Sequence, residues 1–163
     1  MKTVLVVYHS MTGGTRQMVD ALAAGMALEP GIAVSLRHAA SAAADDLIEA
    51  AGYVFATPEN LAAIAGVMKD FFDRCYYPAL EKIDGRPYAT LVCAGSDGSN
   101  AARQVARIAT GWRLRQVVEL LIVCTQAQTP EAILAPKLIS AHELDRCRDL
   151  GTQLATGIAL GIY

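Results

Sequence analysis

The chain predicts an α/β protein, a parallel β-sheet covered by helices on both faces. Five short apolar or β-branched runs alternate along 163 residues with five segments whose apolar residues recur every three to four positions. That alternation makes right-handed βαβ crossovers the economical topology. The runs are apolar nearly throughout rather than alternating with polar residues, as strands buried on both faces are. Hydrophobic residues make up 53% and charged residues 18% of the chain, a core-rich composition, and the length fits a single domain spanning residues 1–163.

The first strand is read at residues 3–8, TVLVVY, followed by a helix on Met18, Val19, Leu22, Ala23 and Met26 that Pro30 and Gly31 end. A second strand runs from 32 to 36, and a short helix covers 45–51. The third strand, 53–57, is expected to stop at Pro58. Ile64, Val67, Met68, Phe71, Phe72 and Cys75 mark the next helix. The turn DGRP leads into a fourth strand at 88–94, and Ala102, Val105, Ala109 and Trp112 stripe the helix after it. The fifth strand is read as one run, 117–124. Residues 125–137, with two prolines and no clear period, predict an irregular loop, either functional or merely connective. Ser140 and Glu143 have capping-box spacing ahead of a final helix carrying Leu144, Cys147, Leu150, Leu154 and Ile158.

Charge and cysteine usage narrow the function classes. A formal net charge of -2 and a pI near 5.9 give no bulk attraction to nucleic acid or anionic lipid. No apolar run approaches the roughly 18 residues that span a membrane, and the apolar start is too short for a signal-peptide core, so a soluble cytoplasmic protein is expected. Cys75, Cys93, Cys124 and Cys147 form no C-x-x-C pair and read as reduced core thiols.

Ligands of open parallel sheets bind outside the carboxyl ends of the strands, which directs attention to three loops, 8–15, 57–65 and 94–100. In the first, Ser10, Thr12 and Thr15 offer hydroxyls, Gly13 and Gly14 permit a tight turn, and the next helix presents free N–H groups. That combination suits an anion, most readily a terminal phosphate. The stretch has neither the lysine of a nucleoside-triphosphate loop nor the G-x-G-x-x-G of a dinucleotide turn. A plain strand-to-helix turn with Thr15 as N-cap is the alternative.

The pattern S-x-T-G-x-T at Ser10, Thr12, Gly13 and Thr15, directly after an apolar first strand, resembles the phosphate loop of flavodoxin-like FMN-binding proteins. Residues 50–74, AAGYVFATPENLAAIAGVMKDFFDR, are similar to the strand, loop and helix of flavodoxins, WrbA-type quinone reductases and NADPH-dependent FMN reductases, and residues 91–104 to their next strand and loop. The resemblance implies a flavodoxin-like three-layer sandwich with a five-stranded parallel sheet of order 2-1-3-4-5 and FMN at its carboxyl edge. Carried over position by position, Ser10, Met11, Thr12, Gly13, Gly14 and Thr15 would hold the phosphate. Pro58, Glu59, Asn60, Leu61, Ala62 and Ala63 would line one side of the isoalloxazine, and Ser96, Asp97 and Gly98 another. The chain departs from the family at NLAAIA, residues 60–65, where the FMN reductases often carry tyrosine, asparagine and glycine, and no aromatic residue stands in either flavin loop.

The function implied is an FMN-dependent oxidoreductase that takes electrons from NAD(P)H and passes them to a quinone, a free flavin or a similar small-molecule electron acceptor, with no side chain assigned as acid or base. The alternatives are a flavodoxin carrying single electrons between proteins, and a flavodoxin-like domain that has lost FMN. A homodimer or homotetramer is left open by the apolar segment 61–65 and by Tyr76 and Tyr77. Other residues have plainer readings. His9 is taken as locally bonded or solvent-facing, and His38 and His142 as surface residues. Cys93 is taken as a buried thiol, and Trp112 as core. Asp97 is equally a turn former or a ring contact. Arg103, Arg107, Arg113 and Arg115 are taken as solvated helix faces, with attraction of NAD(P)H phosphates as the other option.

Overall fold

A computed structural model describes residues 1–163. In chain order its elements are β1 (Lys2–Tyr8), α1 (Gly14–Met26), β2 (Ile32–His38), α2 (Ala44–Glu49), β3 (Gly52–Asn60), β4 (Ala63–Ile64) and α3 (Gly66–Ala79). The second half carries β5 (Pro87–Ala94), α4 (Ser99–Gly111), β6 (Arg115–Gln116), β7 (Leu121–Cys124), α5 (Pro130–Leu134) and α6 (Ala141–Leu160). The sheet runs β2-β1-β3-β5, with β6 and β7 both pairing the outer side of β5, and each of these pairings is parallel. The expected order 2-1-3-4-5 is therefore present, β5 standing fourth and β6 with β7 fifth. No helix is long and apolar enough to cross a membrane.

Two-sided burial explains why β1, β3 and β5 are apolar over most of their length. On β1, Val4 and Val6 face α1 and α6, while Leu5 and Val7 face the layer of α2, α3 and α4. The second layer is aromatic: Phe55 lies 5.2 Å from Phe72 and 6.3 Å from Trp112, and the indole N–H of Trp112 donates to the Tyr76 carbonyl at 2.9 Å. In the first layer α1 and α6 pack closely side by side because they meet at glycine. A Cβ on Gly151 would overlap the Leu22 carbonyl oxygen, and one on Gly25 the Arg148 carbonyl oxygen.

Three expectations fail for local reasons. The fifth strand is not continuous. Tyr88 pairs with Gln116 and Leu91 with Leu121, so two extra residues bulge out within 117–120, whose apolar side chains read as strand in sequence. Pro58 does not end β3. It makes the last rung with Cys93, after which β3 exchanges its parallel partner for the antiparallel β4, so Ile64 belongs to a strand and α3 begins at Gly66. Finally, the loop expected at 125–137 contains a helical turn, α5, capped by Thr129, whose hydroxyl accepts from the Ala132 N–H at 3.2 Å.

Burial sets an alkaline limit. It raises the Cys147 thiol from 9.0 to about 12 and the Cys93 thiol from 9.0 to about 11. The Tyr53 hydroxyl, which donates to the Leu47 carbonyl at 2.7 Å, rises from 10.0 to about 12 through burial, against the opposing charge of Arg86. These groups stay protonated in the folded chain after the unfolded chain has ionised. Their contribution is complete below about pH 9 and is lost as pH rises towards about 12, at roughly 1.4 kcal/mol per group and pH unit. Urea midpoints measured in reducing buffer are expected to hold to about pH 9 and fall steeply by pH 11. A midpoint that stays flat through pH 11 would contradict the burial of these thiols.

Candidate functional site

The carboxyl ends of β1, β3, β5 and β7 open into one pocket of about 460 Å³, within the range of small-molecule sites. Its floor is the turn from β1 into α1. Gly13 is the N-cap, in the left-handed region at φ 94°, so Thr15 lies inside the first helical turn and is not the cap. No protein group accepts from the backbone N–H groups of Met11 to Thr15, whereas Arg16 N–H already donates to the Ser10 hydroxyl at 3.2 Å. Thr15 is 2% exposed and its Oγ1 has no hydrogen-bond partner. Helix direction and free donors together suit this turn to cradling an anion without any charged side chain. Close packing holds it, since a Cβ on Gly14 would lie 2.6 Å from Cys93 Sγ.

The β3–β4 hairpin forms one wall. Its two-residue turn, Leu61 and Ala62, has φ of 51° and 61°, the geometry of a tight hairpin turn that favours Asn-Gly, and each residue bears the strain of a Cβ in that region. α4 holds the turn in place. Asn100 Nδ2 donates to the Ala62 carbonyl at 2.5 Å, and the Ile64 N–H donates to Gln104 Oε1 at 2.9 Å. Leu61 is 102% exposed at the tip. Below it, Glu59 Oε1 accepts from the Gly98 N–H at 3.0 Å while its Oε2 is buried without a partner. That carboxylate oxygen keeps its capacity to accept a hydrogen bond.

Of the residues named from sequence, Ser10, Met11, Thr12, Gly14 and Thr15 line the pocket floor, Pro58, Glu59, Asn60, Leu61 and Ala62 one wall, and Ser96 the other. Gly13, Ala63, Asp97 and Gly98 stand behind the lining. Asp97 acts as a turn former, accepting from the Ser99 N–H at 3.2 Å and hydroxyl at 2.8 Å. The lining also includes Ala94 and Gly95 of the selected loop 94–100 and Cys93, read as a buried thiol, together with Thr125, Ala127, Ile133 and Lys137, which are not among the site residues named from sequence. The rule that selected the other loops applies equally to the one after the last strand, and it points to Thr125 and Ala127, which follow β7 directly.

Several plainer readings also change. Cys124 is exposed rather than core. His38 is not an isolated surface residue: its Nε2 lies 3.1 Å from His9 Nδ1, while its Nδ1 accepts from the Ala40 N–H at 3.2 Å. The Ala40 bond fixes the tautomer, so His38 Nε2–H donates to His9, and burial together with His38 keeps the His9 pKa below its ordinary value. Arg103, Arg113 and Arg115 do not gather. Arg113 pairs with Asp84 at 2.8 Å, and Arg115 lies opposite Pro87, at the end of the sheet away from the pocket. Arg103 instead donates to Asn100 Oδ1 at 2.6 Å and so steadies the residue that holds the hairpin turn. Cys93 is buried as expected and its raised pKa keeps it a thiol at neutral pH.

The profile of the NADPH-dependent FMN reductases matches residues 30–128, more than half of the chain. The protein belongs to the NADPH-dependent FMN reductase family. Members of this flavodoxin-like, FMN-binding group resemble it along the whole fold. The chain is 29% identical over 168 aligned positions to a flavodoxin of Aquifex aeolicus strain VF5, covering 98% of this chain and 89% of the relative. It is 32% identical over 94 residues to a NAD(P)H dehydrogenase (quinone) of Acidithiobacillus ferrooxidans, covering 45% and 47% of the two chains. Among solved structures, a flavodoxin described as a WrbA-like protein, from Agrobacterium tumefaciens, superposes with a TM-score of 0.75 at 18% identity, covering 98% of this chain and 99% of the other. The family match begins after the turn from β1 into α1 and so does not cover it.

Proposed function

We propose that this FMN reductase family member holds FMN in the pocket at the carboxyl edge of its sheet and acts as an NAD(P)H-dependent oxidoreductase on small apolar acceptors such as quinones or free flavins. The pocket's two sets of unsatisfied groups carry this reading. The free N–H groups of Met11 to Thr15 and the orphaned Thr15 Oγ1 supply donors suited to a phosphate, and the orphaned Glu59 Oε2 supplies an acceptor suited to a ring N–H. Donors at one end and a lone acceptor at the other fit a flavin mononucleotide, and they speak against a domain that has lost its ligand.

When bound, the isoalloxazine accepts a hydride and passes on its electrons. This chain's own residues bind and orient. Pro58, Leu61 and Ala62 offer an aliphatic surface to a ring, and Met11, Leu61 and Ile133 make an apolar rim around the opening. Glu59 and Lys137 are the only charged residues in the lining, so the mouth presents little of the charge complementarity by which electron-carrying proteins select protein partners. That favours a small acceptor. An electron-carrier function is the second reading, favoured by the near full-length likeness to the Aquifex flavodoxin.

The assay mixes FMN-loaded protein with NADPH or NADH and menadione. Steady cofactor oxidation is expected. Oxidation only after a separate reductase is added would identify the carrier instead. An aliphatic wall also predicts that Leu61→Trp, which supplies the missing stacking partner, tightens FMN binding roughly fivefold in a fluorescence titration. Unchanged or weaker binding would place the ring away from the hairpin.

A further inference from the structure

The anion cradle is uncharged, and the nearest basic side chain of its own helix turns away. Arg16 Nε contacts both Asp20 carboxylate oxygens at 2.8 and 3.0 Å, and its Nη1 donates to the Tyr8 hydroxyl at 2.7 Å. The one cation in the pocket lining comes from the segment after the last strand, at Lys137. Its ammonium has no carboxylate partner. It donates to the carbonyls of Ala132 and Ile133 at 2.8 Å each and of Ala135 at 2.6 Å, which fixes its position and leaves its charge uncompensated by any anion. The backbone of Lys137 is fastened to the cradle. Its N–H donates to the Thr12 carbonyl at 2.8 Å, and Gln17 Nε2 bridges the carbonyls of Gly13 at 2.9 Å and Lys137 at 2.8 Å. Gln17 Oε1 closes the staple by accepting from the Ile139 N–H at 3.1 Å.

We infer that Lys137 is the charge partner of the flavin phosphate and the residue that makes this pocket select phosphorylated over unphosphorylated flavin. This rests on the FMN reading given above. Neutral donors satisfy the hydrogen-bonding demand of a phosphate dianion but leave its charge unbalanced in a partly desolvated site, and an ammonium held by carbonyls compensates it through its field. Gln17 is then a positioning residue, since it ties the segment bearing the charge to the turn bearing the donors.

The test titrates apoprotein with FMN and with riboflavin, following the quenching of flavin fluorescence, in the unsubstituted chain and in Lys137→Gln and Lys137→Arg. Lys137→Gln is expected to lose on the order of 10- to 100-fold in FMN affinity while riboflavin affinity stays within about twofold, and Lys137→Arg to keep the preference for FMN. In the unsubstituted chain, raising salt from about 0.02 M to about 0.5 M is expected to weaken FMN binding and leave riboflavin unaffected, a readout that needs no variant to fold. Equal losses for both flavins, no loss for FMN, or salt-independent FMN binding would overturn the role of Lys137 alone. If the unsubstituted chain quenches neither flavin, the FMN reading falls, and the role of Lys137 with it.

Discussion

Gly14→Val is expected to weaken FMN binding by at least about 100-fold while the chain still folds. The position allows a side chain by backbone conformation, because its φ is not positive, so the effect is one of space. A Cβ there meets Cys93 Sγ at 2.6 Å and stands 3.4 Å from Lys137 Cβ, wedging the first turn of α1 away from the end of β5 and from the segment bearing Lys137. Displacing that turn by even a fraction of an ångström moves the free N–H groups that make the cradle, and charge-assisted hydrogen bonds weaken steeply with distance and angle. The fold itself should lose about 1–3 kcal/mol, the ordinary cost of overpacking. A double variant separates the causes. Gly14→Val with Cys93→Ala opens room for the new side chain and is expected to regain part of the lost affinity, a coupling that a double-mutant cycle measures. Full FMN affinity in Gly14→Val alone would mean that the phosphate does not sit at this turn.

The largest effect on stability is expected at Gly151, far from the pocket. α1 and α6 approach so closely there that the backbone of one helix fills the place of a side chain on the other. Gly151→Leu must push α6 off the sheet face that it covers with Cys147, Leu150, Leu154 and Ile158. Any gain in helix propensity, up to about 1 kcal/mol, is outweighed by overpacking against rigid backbone and by partial exposure of that face. A net loss of about 3 kcal/mol or more is expected, lowering the Tm by roughly 6–12 °C for a chain of this size. A melt within about 1 °C of the unsubstituted protein would show that the helices have room to separate at no cost.

What sequence reveals and what it hides follow one physical division. Strands buried on both faces announce themselves as unbroken apolar runs, so β1, β3 and β5 are legible, as is the Ser140 cap, whose hydroxyl accepts from the Glu143 N–H at 3.3 Å. The turn that forms the pocket floor lies in the loop 8–15, which the strand-end rule selects from sequence. Features decided by packing are not legible. Nothing in Leu61 and Ala62 signals a hairpin turn, since the usual turn residues are absent and α4 imposes the conformation through Asn100 and Gln104. Lys137 sits in an aperiodic stretch, and its relation to the cradle exists only once Gln17 has stapled two distant segments together. The two-residue bulge within 117–120 and the exposure of Cys124 at the end of an apolar run likewise depend on what lies beside the chain rather than on the chain itself.

Titration of the apoprotein with FMN, read by flavin fluorescence and repeated with Gly14→Val, tests the central claim most directly. Quenching that saturates at one FMN per chain and is absent in Gly14→Val is the expected result. Fluorescence that stays unchanged through a stoichiometric excess of FMN, or saturates identically in both proteins, would contradict an FMN site built on the turn from β1 into α1.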